Sequence, residues 1–151
     1  MWRRPLLLLA VLAACLFPVS PRTAKAATSP LIGVWRIDAG ASAAGLYIYT
    51  PTHYSMMAAS TTRPEITDAT ATADELRADW GPMLANAGSY DISGDLLTIH
   101  PIAAKFPVVM KPGAYEVYRY KIDGDTLTLT QVRNVRGPVE KGGVTRLVRV
   151  E

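Results

Sequence analysis

Residues 115–130 read YEVYRYKIDGDTLTLT, and this stretch decides the fold class of the chain. Polar and apolar side chains alternate over residues 126–130, which is the period of a β-strand, because successive side chains point to opposite faces. Asp123, Gly124 and Asp125 interrupt the pattern with residue types that favour a tight turn. The stretch therefore predicts a β-hairpin with strands over residues 115–122 and 126–130.

The same pattern recurs along the chain. Residues 84–100 read LANAGSYDISGDLLTIH and place a Ser-Gly-Asp turn between two further predicted strands. Other strands are predicted over residues 31–37, over 46–49 with a resumption at 54–59 after Thr-Pro-Thr-His, and over 144–150. Turn residues separate the strands at intervals of about ten residues. We expect one all-β domain, a small antiparallel β-barrel of about seven or eight strands.

One segment departs from the strand pattern. Thr72 and Glu75 have the spacing of a helix capping box, and apolar residues at positions 76, 80 and 84 share one helical face. Pro82 has no amide hydrogen to donate, so we expect a kink or two short helical pieces there. The sequence thus predicts one short helix covering an end of the barrel.

The first 26 residues have the layout of a secretory signal peptide. Two arginines precede an apolar run over residues 6–17, and Ala-Lys-Ala at residues 24–26 is an A-x-A cleavage site. The run is shorter than the roughly 20 apolar residues of a transmembrane helix, so no transmembrane anchor is expected. We expect cleavage after Ala26, a mature domain over residues 27–151, and a periplasmic or secreted location.

The lone cysteine leaves a second processing route open. Cys15 follows Leu-Ala-Ala, which resembles the site at which bacterial lipoproteins are cut and acylated. A signal ending before Cys15 would attach the domain to a membrane through lipid. In either case residues 27–151 contain no cysteine, so the folded domain has neither a disulfide nor a thiol nucleophile.

The basic balance of the chain belongs largely to the signal. Four of the 16 basic residues and none of the 13 acidic ones lie in residues 1–26, which leaves 12 basic and 13 acidic side chains in residues 27–151. A domain without net positive charge lacks the field that draws proteins to phosphate backbones. Nucleic acid is therefore not an expected partner.

Four motifs follow one another over the mature chain. They are LIGVWRI at 31–37, GLYIYTPTHYSMMAAS at 45–60, the 84–100 stretch, and YRYKIDGDTLTLT at 118–130. This order and spacing resemble the bacterial lipocalin-like domain family, in which a G-x-W motif opens the first strand. The resemblance implies a lipocalin-like barrel with a cavity, and it implies no particular reaction.

The resemblance also implies roles for single residues. Trp35 would close one barrel end beneath a basic partner from the last strand, either Arg146 or Arg149, through a cation–π contact. The chain departs from the family pattern at three places. Val34 replaces a threonine, Thr-His at 52–53 replaces Asp-Gly, and His100 is the one histidine kept of two.

His100 and Arg119 are the candidate polar groups of the cavity. Thr98 and His100 share one face of their strand, so His100 would orient a ligand oxygen or pass a proton if that face points inward. An inward Arg119 would bind a carbonyl or a ligand carboxylate, and the resemblance favours that orientation. The alternatives are a histidine that is hydrogen-bonded at a strand end and a solvated, outward arginine.

Aromatic and methionine side chains supply the candidate apolar lining. The ligand-binding set, with His100 and Arg119, comprises Tyr47, Tyr49, Tyr54, Met56 and Tyr90. Such a lining suits an apolar ligand with a polar end. The alternative is ordinary core packing, because these residue types fill cores in any case.

Several chemistries lack their residues. His53 and His100 are the only histidines and do not have zinc-ligand spacing, so no metal is expected. The chain has no P-loop, no G-x-G-x-x-G and no G-x-S-x-G motif, so no nucleotide cofactor and no α/β-hydrolase chemistry are expected.

Three functions remain. The leading hypothesis is an exported protein that binds a small hydrophobic or amphipathic molecule in its barrel cavity. The second is a barrel-cavity enzyme, an isomerase, cyclase or hydro-lyase, with His100 as acid or base and Arg119 polarising a carbonyl. The third is a structural envelope domain with a filled core and no ligand.

Overall fold

The computed structural model describes residues 29–151, apart from residues 41, 64, 65 and 68. The predicted signal peptide, with Cys15 and the Ala26 cleavage site, lies outside the described residues. The strands of the described part are β1 (Gly33–Ile37), β2 (Ala43–Tyr49), β3 (His53–Ser60), β4 (Leu84–Ser93), β5 (Leu96–Ala104), β6 (Glu116–Asp123), β7 (Thr126–Asn134), β8 (Gly137–Pro138) and β9 (Val144–Arg149). Helix α1 spans Ala73–Trp80, and a 3₁₀ turn spans Pro107–Met110.

Eight of these strands close into an antiparallel barrel. Each strand from β1 to β7 pairs with the next along the chain, β7 pairs with β9, and β9 pairs back to β1. Strand β8 has two residues and pairs only with the end of β7. The all-β antiparallel barrel predicted from the alternating pattern is confirmed, and it agrees with the lipocalin-like barrel that the family resemblance implied.

The two predicted hairpins form as expected. The turn between β4 and β5 contains Gly94 at φ +61°, and the turn between β6 and β7 contains Gly124 at φ +56°. These positive φ values belong to the left-handed region, which glycine enters at low cost because it has no Cβ. The Gly-Asp pairs in the sequence therefore mark the places where the chain must reverse.

The interrupted second strand is a correction to the sequence analysis. Residues 46–49 and 54–59 belong to two antiparallel strands, β2 and β3, in which Tyr49 pairs with Tyr54. The chain reverses between them, and the Thr50 amide donates to the His53 carbonyl at 2.8 Å. Pro51 lies inside this turn, where a residue without an amide hydrogen breaks no ladder hydrogen bond.

One end of the barrel is densely packed around Trp35. Its side chain is fully buried, and the indole Nε1 donates to the carbonyl of Leu31 at 2.8 Å. The Arg149 guanidinium lies 4.0 Å from the centre of the indole ring and donates to the carbonyls of Ile32 and Pro30. Of the two arginines considered from the sequence, Arg149 is the partner of Trp35, while Arg146 lies 4.0 Å from Asp38.

Helix α1 lies in the connection at the opposite end, between β3 and β4. The capping box is present, because the Glu75 amide donates to the Thr72 hydroxyl and the Glu75 carboxylate accepts from the Thr72 amide. The helix buries none of its side chains. It ends at Trp80, where the Lys105 ammonium donates to the carbonyls of Trp80, Gly81 and Met83.

The predicted kink at Pro82 is wrong, since the helix stops two residues before it. Gly81 still has helical backbone angles and its amide donates to the Arg77 carbonyl, but Pro82 has no amide hydrogen with which to continue the helical hydrogen bonds. Leu84 consequently opens β4 and does not lie on the helical face assigned to it from the sequence. Within the described ranges, no helix has the length and apolar character needed to cross a membrane.

Candidate functional site

A cavity of about 190 Å³ lies inside the barrel, towards the end with the longer connections. Its lining is contributed by seven barrel strands and the residue before the last strand: Tyr47, Tyr49, Met56, Leu84, Leu97, Tyr118, Leu129, Gln131, Gly143, Val144 and Thr145. Three candidates from the sequence analysis, Tyr47, Tyr49 and Met56, are therefore together on the cavity wall. They meet there because inward side chains alternate along β2 and β3.

Tyr49 contributes to the cavity a buried hydroxyl that has no hydrogen-bond partner in the described part of the chain. Only 2% of this residue is exposed to solvent, and its hydroxyl has no hydrogen-bond partner among the described residues. Burial raises the pKa of the phenol well above its ordinary value, so the hydroxyl stays protonated and can donate. A buried hydroxyl without a partner costs about 1–3 kcal/mol, which a ligand atom would recover by pairing with it.

Tyr54 and Tyr90 are buried but already paired. The Tyr54 hydroxyl donates to Oδ1 of the buried Asn86 at 2.8 Å. The Tyr90 hydroxyl donates to the Thr50 carbonyl at 2.7 Å. Their rings pack on Tyr49, with ring centres 6.5 Å and 5.5 Å from its ring. These two tyrosines hold Tyr49 in place and do not line the cavity.

A polar cluster on β6 and β7 forms the opposite wall, and its residues were not predicted from the sequence. The Tyr118 hydroxyl donates to Oε2 of Glu116 at 3.2 Å, and the Gln131 amide lies 3.5 Å from Oε1 of Glu116 and 3.4 Å from the Tyr118 hydroxyl. Burial raises the pKa of the Glu116 carboxyl, and the hydrogen bond from Tyr118 partly offsets that shift. The alternation along β6 could have indicated this cluster, because Glu116 and Tyr118 share one face of the strand and Arg119 lies on the other.

The cavity adjoins a wider depression of about 530 Å³ at the ends of β1 and β9. Tyr47, Val144 and Thr145 line both spaces. Burial raises the pKa of Tyr47, and a side-chain hydrogen bond with Thr145 partly offsets that shift. These three side chains therefore separate the cavity from the solvent side of the barrel.

A family model described as a lipocalin-like domain matches residues 33–148 of this chain. The chain belongs to the lipocalin-like domain family. A search of curated proteins finds no match. The family assignment agrees with the closed eight-stranded barrel, and the matched range covers every strand of it except the last residue of β9.

The lipocalin-like domain keeps the indole and guanidinium pair of its packed end but not the inward arginine expected of β6. Arg119 points away from the cavity, with 61% of its side chain exposed, and its Nε donates to Asp95 at 2.9 Å. The expectation of an inward Arg119 is wrong. The reason is strand parity: Tyr118 and Tyr120 occupy the inward positions on either side of Arg119.

His100 also lies on the outer surface of the lipocalin-like domain. Its side chain is 43% exposed, and its Nε2 is 3.0 Å from Oδ2 of Asp91 on the neighbouring strand. Leu97 and Ile99, which alternate with it, are fully buried. The predicted polar spot joining His100 and Arg119 inside the cavity is therefore not formed, because each side chain pairs with its own exposed carboxylate.

No group of three or more potential metal ligands comes together in the part of this lipocalin-like domain that the structure describes. His53 is exposed on the turn between β2 and β3, where its Nδ1 lies 2.8 Å from the Thr52 hydroxyl. The chemistry of the cavity thus comes from tyrosine hydroxyls, the Thr145 hydroxyl, one amide and the carboxyl of Glu116 behind them.

Proposed function

We propose that this chain is an exported protein that holds a small amphipathic molecule in the cavity of its barrel. The observation that carries the proposal is the buried, unpaired hydroxyl of Tyr49 on the cavity wall. A polar group in that position costs stability unless something binds it, so retaining it is understandable if a ligand supplies the missing partner. Membership of the lipocalin-like family supports a ligand-binding barrel in general.

The size of the cavity limits the ligand. An apolar cavity of about 150 Å³ accepts a molecule as large as benzene, whereas drug-sized ligands occupy about 300–1,000 Å³. The 190 Å³ cavity therefore suits a body of about one ring. A long acyl chain would have to extend into the adjoining depression past Tyr47 and Val144.

The lining sets the character of the ligand. Met56, Leu97 and Leu129 supply apolar walls, while Tyr49 and Gln131 supply hydrogen-bonding atoms. An apolar body with one polar end satisfies both kinds of wall. This arrangement favours ligand binding over the enzyme hypothesis, whose two residues, His100 and Arg119, face outward.

Native mass spectrometry of the protein purified from its own host tests the proposal. We expect a copurifying small molecule that is released on unfolding. Leu84→Trp, which enlarges a side chain on the cavity wall, should abolish this adduct. Leu46→Trp is the matched control, because Leu46 lies on the outer face of β2 and is 45% exposed. Equal ligand occupancy in the two folded variants would contradict binding inside the barrel.

Export is tested at the amino terminus. Residues 1–26 have the features of a cleavable signal, so the protein recovered from outside the cytoplasm should begin at Ala27. Amino-terminal sequencing decides this. An acylated Cys15 at the first position would replace the soluble product by a lipid-anchored one.

A further inference from the structure

We propose that the cavity selects a small organic amine, an apolar body carrying an ammonium group, and disfavours the carboxylate of the same body. The inference rests on the proposed function and adds the charge of the ligand. It arises from two features together: the unpaired hydroxyl of Tyr49 on one wall, and the Glu116 carboxyl behind the Tyr118 and Gln131 wall.

The charge around the cavity disfavours a ligand carboxylate. None of its eleven lining residues is lysine, arginine or histidine. The two arginines of β9 are engaged elsewhere, Arg149 at the packed end with Trp35 and Arg146 beside Asp38. Arg133 of β7 lies 4.7 Å from the centre of the Tyr115 ring and is not among the lining residues. A ligand carboxylate would therefore enter a space of low dielectric whose lining holds no cation to pair with, and would face Glu116.

The direction of the hydrogen bonds on the cavity walls favours a ligand that donates. The Tyr118 hydroxyl donates its single proton to Glu116, and the Gln131 amide nitrogen lies within reach of both Glu116 and Tyr118. Their donors are thus engaged with each other, which leaves oxygen lone pairs for a ligand on this wall. The Tyr49 hydroxyl on the opposite wall also offers its oxygen lone pairs to an ammonium group, and its own proton then remains for another acceptor. An ammonium group, which carries three donors and no acceptor, matches such a set.

The aromatic side chains of the cavity wall favour a cationic ligand. Tyr47, Tyr49 and Tyr118 all line the cavity. The faces of their rings carry partial negative charge and attract organic cations, and the attraction is strongest where water is excluded. The rings therefore favour an ammonium group for the same reason that the hydrogen-bond acceptors do.

The ionisation of Glu116 makes the selection depend on pH. The titratable groups that face it are Tyr118 on its own strand and Tyr54 from β3. Strand β7 contributes the uncharged Gln131 and, paired with the adjacent Val117, Arg133, which lies over the Tyr115 ring. Burial favours the neutral carboxyl, whereas a bound ammonium favours the carboxylate. Amine affinity should therefore rise with pH as Glu116 ionises and stay high until the amine itself loses its proton.

Three probes with one hydrocarbon body test the inference: cyclohexylmethylamine, cyclohexylmethanol and cyclohexanecarboxylate, titrated calorimetrically into the full mature protein at pH 7. We expect the amine to bind about tenfold to a hundredfold more tightly than the carboxylate, with the alcohol between them. Glu116→Gln should weaken amine binding by about tenfold and leave alcohol binding within about threefold. Asp91→Asn is the matched control, because it removes one negative charge from the outer surface.

The outcomes separate the two proposals. A carboxylate that binds as tightly as the amine, or an amine affinity that does not change in Glu116→Gln, overturns the charge selection while cavity binding stands. If none of the probes binds and Leu84→Trp changes no occupancy, the proposed function fails as well. Amine titrations of the unmodified protein between pH 4 and pH 8 need no variant, and a flat profile also overturns the selection.

Discussion

At the scale of single residues, the tyrosines inside the barrel divide into two groups by the partners of their hydroxyls. Tyr54 and Tyr90 donate to Asn86 and to the Thr50 carbonyl, and each bond joins two segments distant in sequence. Tyr49 lies between their rings, yet its hydroxyl has no partner in the described part of the chain. The same chemical group is therefore structural in two positions and available to a ligand in the third.

The pair Tyr49→Phe and Tyr54→Phe tests this division. Tyr49→Phe removes an unpaired polar atom, so the free energy of unfolding should stay the same or rise slightly, while affinity for cyclohexylmethanol falls about threefold to tenfold. Tyr54→Phe leaves Oδ1 of the buried Asn86 unpaired, which should cost about 1–3 kcal/mol of stability. Urea unfolding and calorimetric titration measure both quantities. A destabilised Tyr49→Phe with unchanged affinity would mean that this hydroxyl is structural.

Trp35 is the largest fully buried side chain, and its removal should be severe. Trp35→Ala takes away an indole packed beneath Arg149 together with its hydrogen bond to Leu31. We expect a loss of about 3–5 kcal/mol, a large part of the stability of a small domain. Trp80→Ala is the control, because Trp80 is 48% exposed at the end of α1 and should cost less than about 1 kcal/mol. Thermal unfolding of the two variants should differ clearly.

At the scale of elements, the connection before β9 borders the cavity and contains two adjacent glycines, of which the first is sterically required. A Cβ on Gly142 would lie 1.6 Å from the carbonyl oxygen of Gln131, whereas a Cβ on Gly143 would meet no atom within 4 Å. The backbone amide of Gln131 donates to the Gly143 carbonyl at 3.0 Å, which ties this connection to β7. The glycine at 142 therefore permits a close approach of two backbones.

Alanine substitutions at the two glycines should consequently differ. Gly142→Ala should force the connection away from β7 and cost about 1–3 kcal/mol, as overpacking against a backbone typically does. Gly143→Ala should leave the midpoint of unfolding nearly unchanged. Hydrogen exchange of the backbone amide of Gln131 reports the local effect, and the exchange should become faster only in Gly142→Ala. Equal exchange rates in the two variants would show that the connection tolerates the extra methyl group.

At the scale of the whole molecule, the half of the barrel around Trp35 is filled with apolar side chains, whereas the half with the longer connections contains a cavity. Leu31, Trp35, Leu127 and Leu147 are fully buried and supply the apolar contacts that hold the sheet closed. The half with the longer connections contains the cavity and the Glu116 cluster. The stability of the fold thus comes mainly from one half, while polar groups that reduce stability lie in the other half, where a ligand would bind.

The stability of the whole domain should depend on pH through Glu116. Burial raises the pKa of its carboxyl, so the folded state holds the proton more tightly than the unfolded state does. Stability from this group should therefore fall as pH rises from the usual glutamate pKa through the raised folded value. Glu116→Gln should remove this fall, measured as the melting temperature at successive pH values. A parallel pH profile in the variant would show that Glu116 does not contribute.

Much of the fold followed from the chain itself, and particular residues explain why. Gly94 and Gly124 mark hairpins because only local backbone geometry is involved. The alternation around Leu97 and Leu127 predicted strands with two distinct faces, because side-chain direction repeats every two residues, but it left open which face lines the cavity. The kink at Pro82 was predicted wrongly because the helix needed to end earlier, at Trp80, for Leu84 to begin the strand that pairs with β3.

The sequence by itself determined the barrel and its approximate number of strands, since these depend on local periodicity and turn chemistry. The place of the indole at one barrel end was implied by the resemblance to the lipocalin-like family. The tertiary structure alone decided which polar groups face the cavity. An alternating strand with tyrosine and charge on both faces can be inserted in either parity, and a shift of one residue exchanges the faces. Closure of the barrel resolved this by placing Tyr118 and Glu116 inside and Arg119 outside, because desolvating a guanidinium without a partner costs more than burying a phenol that has one.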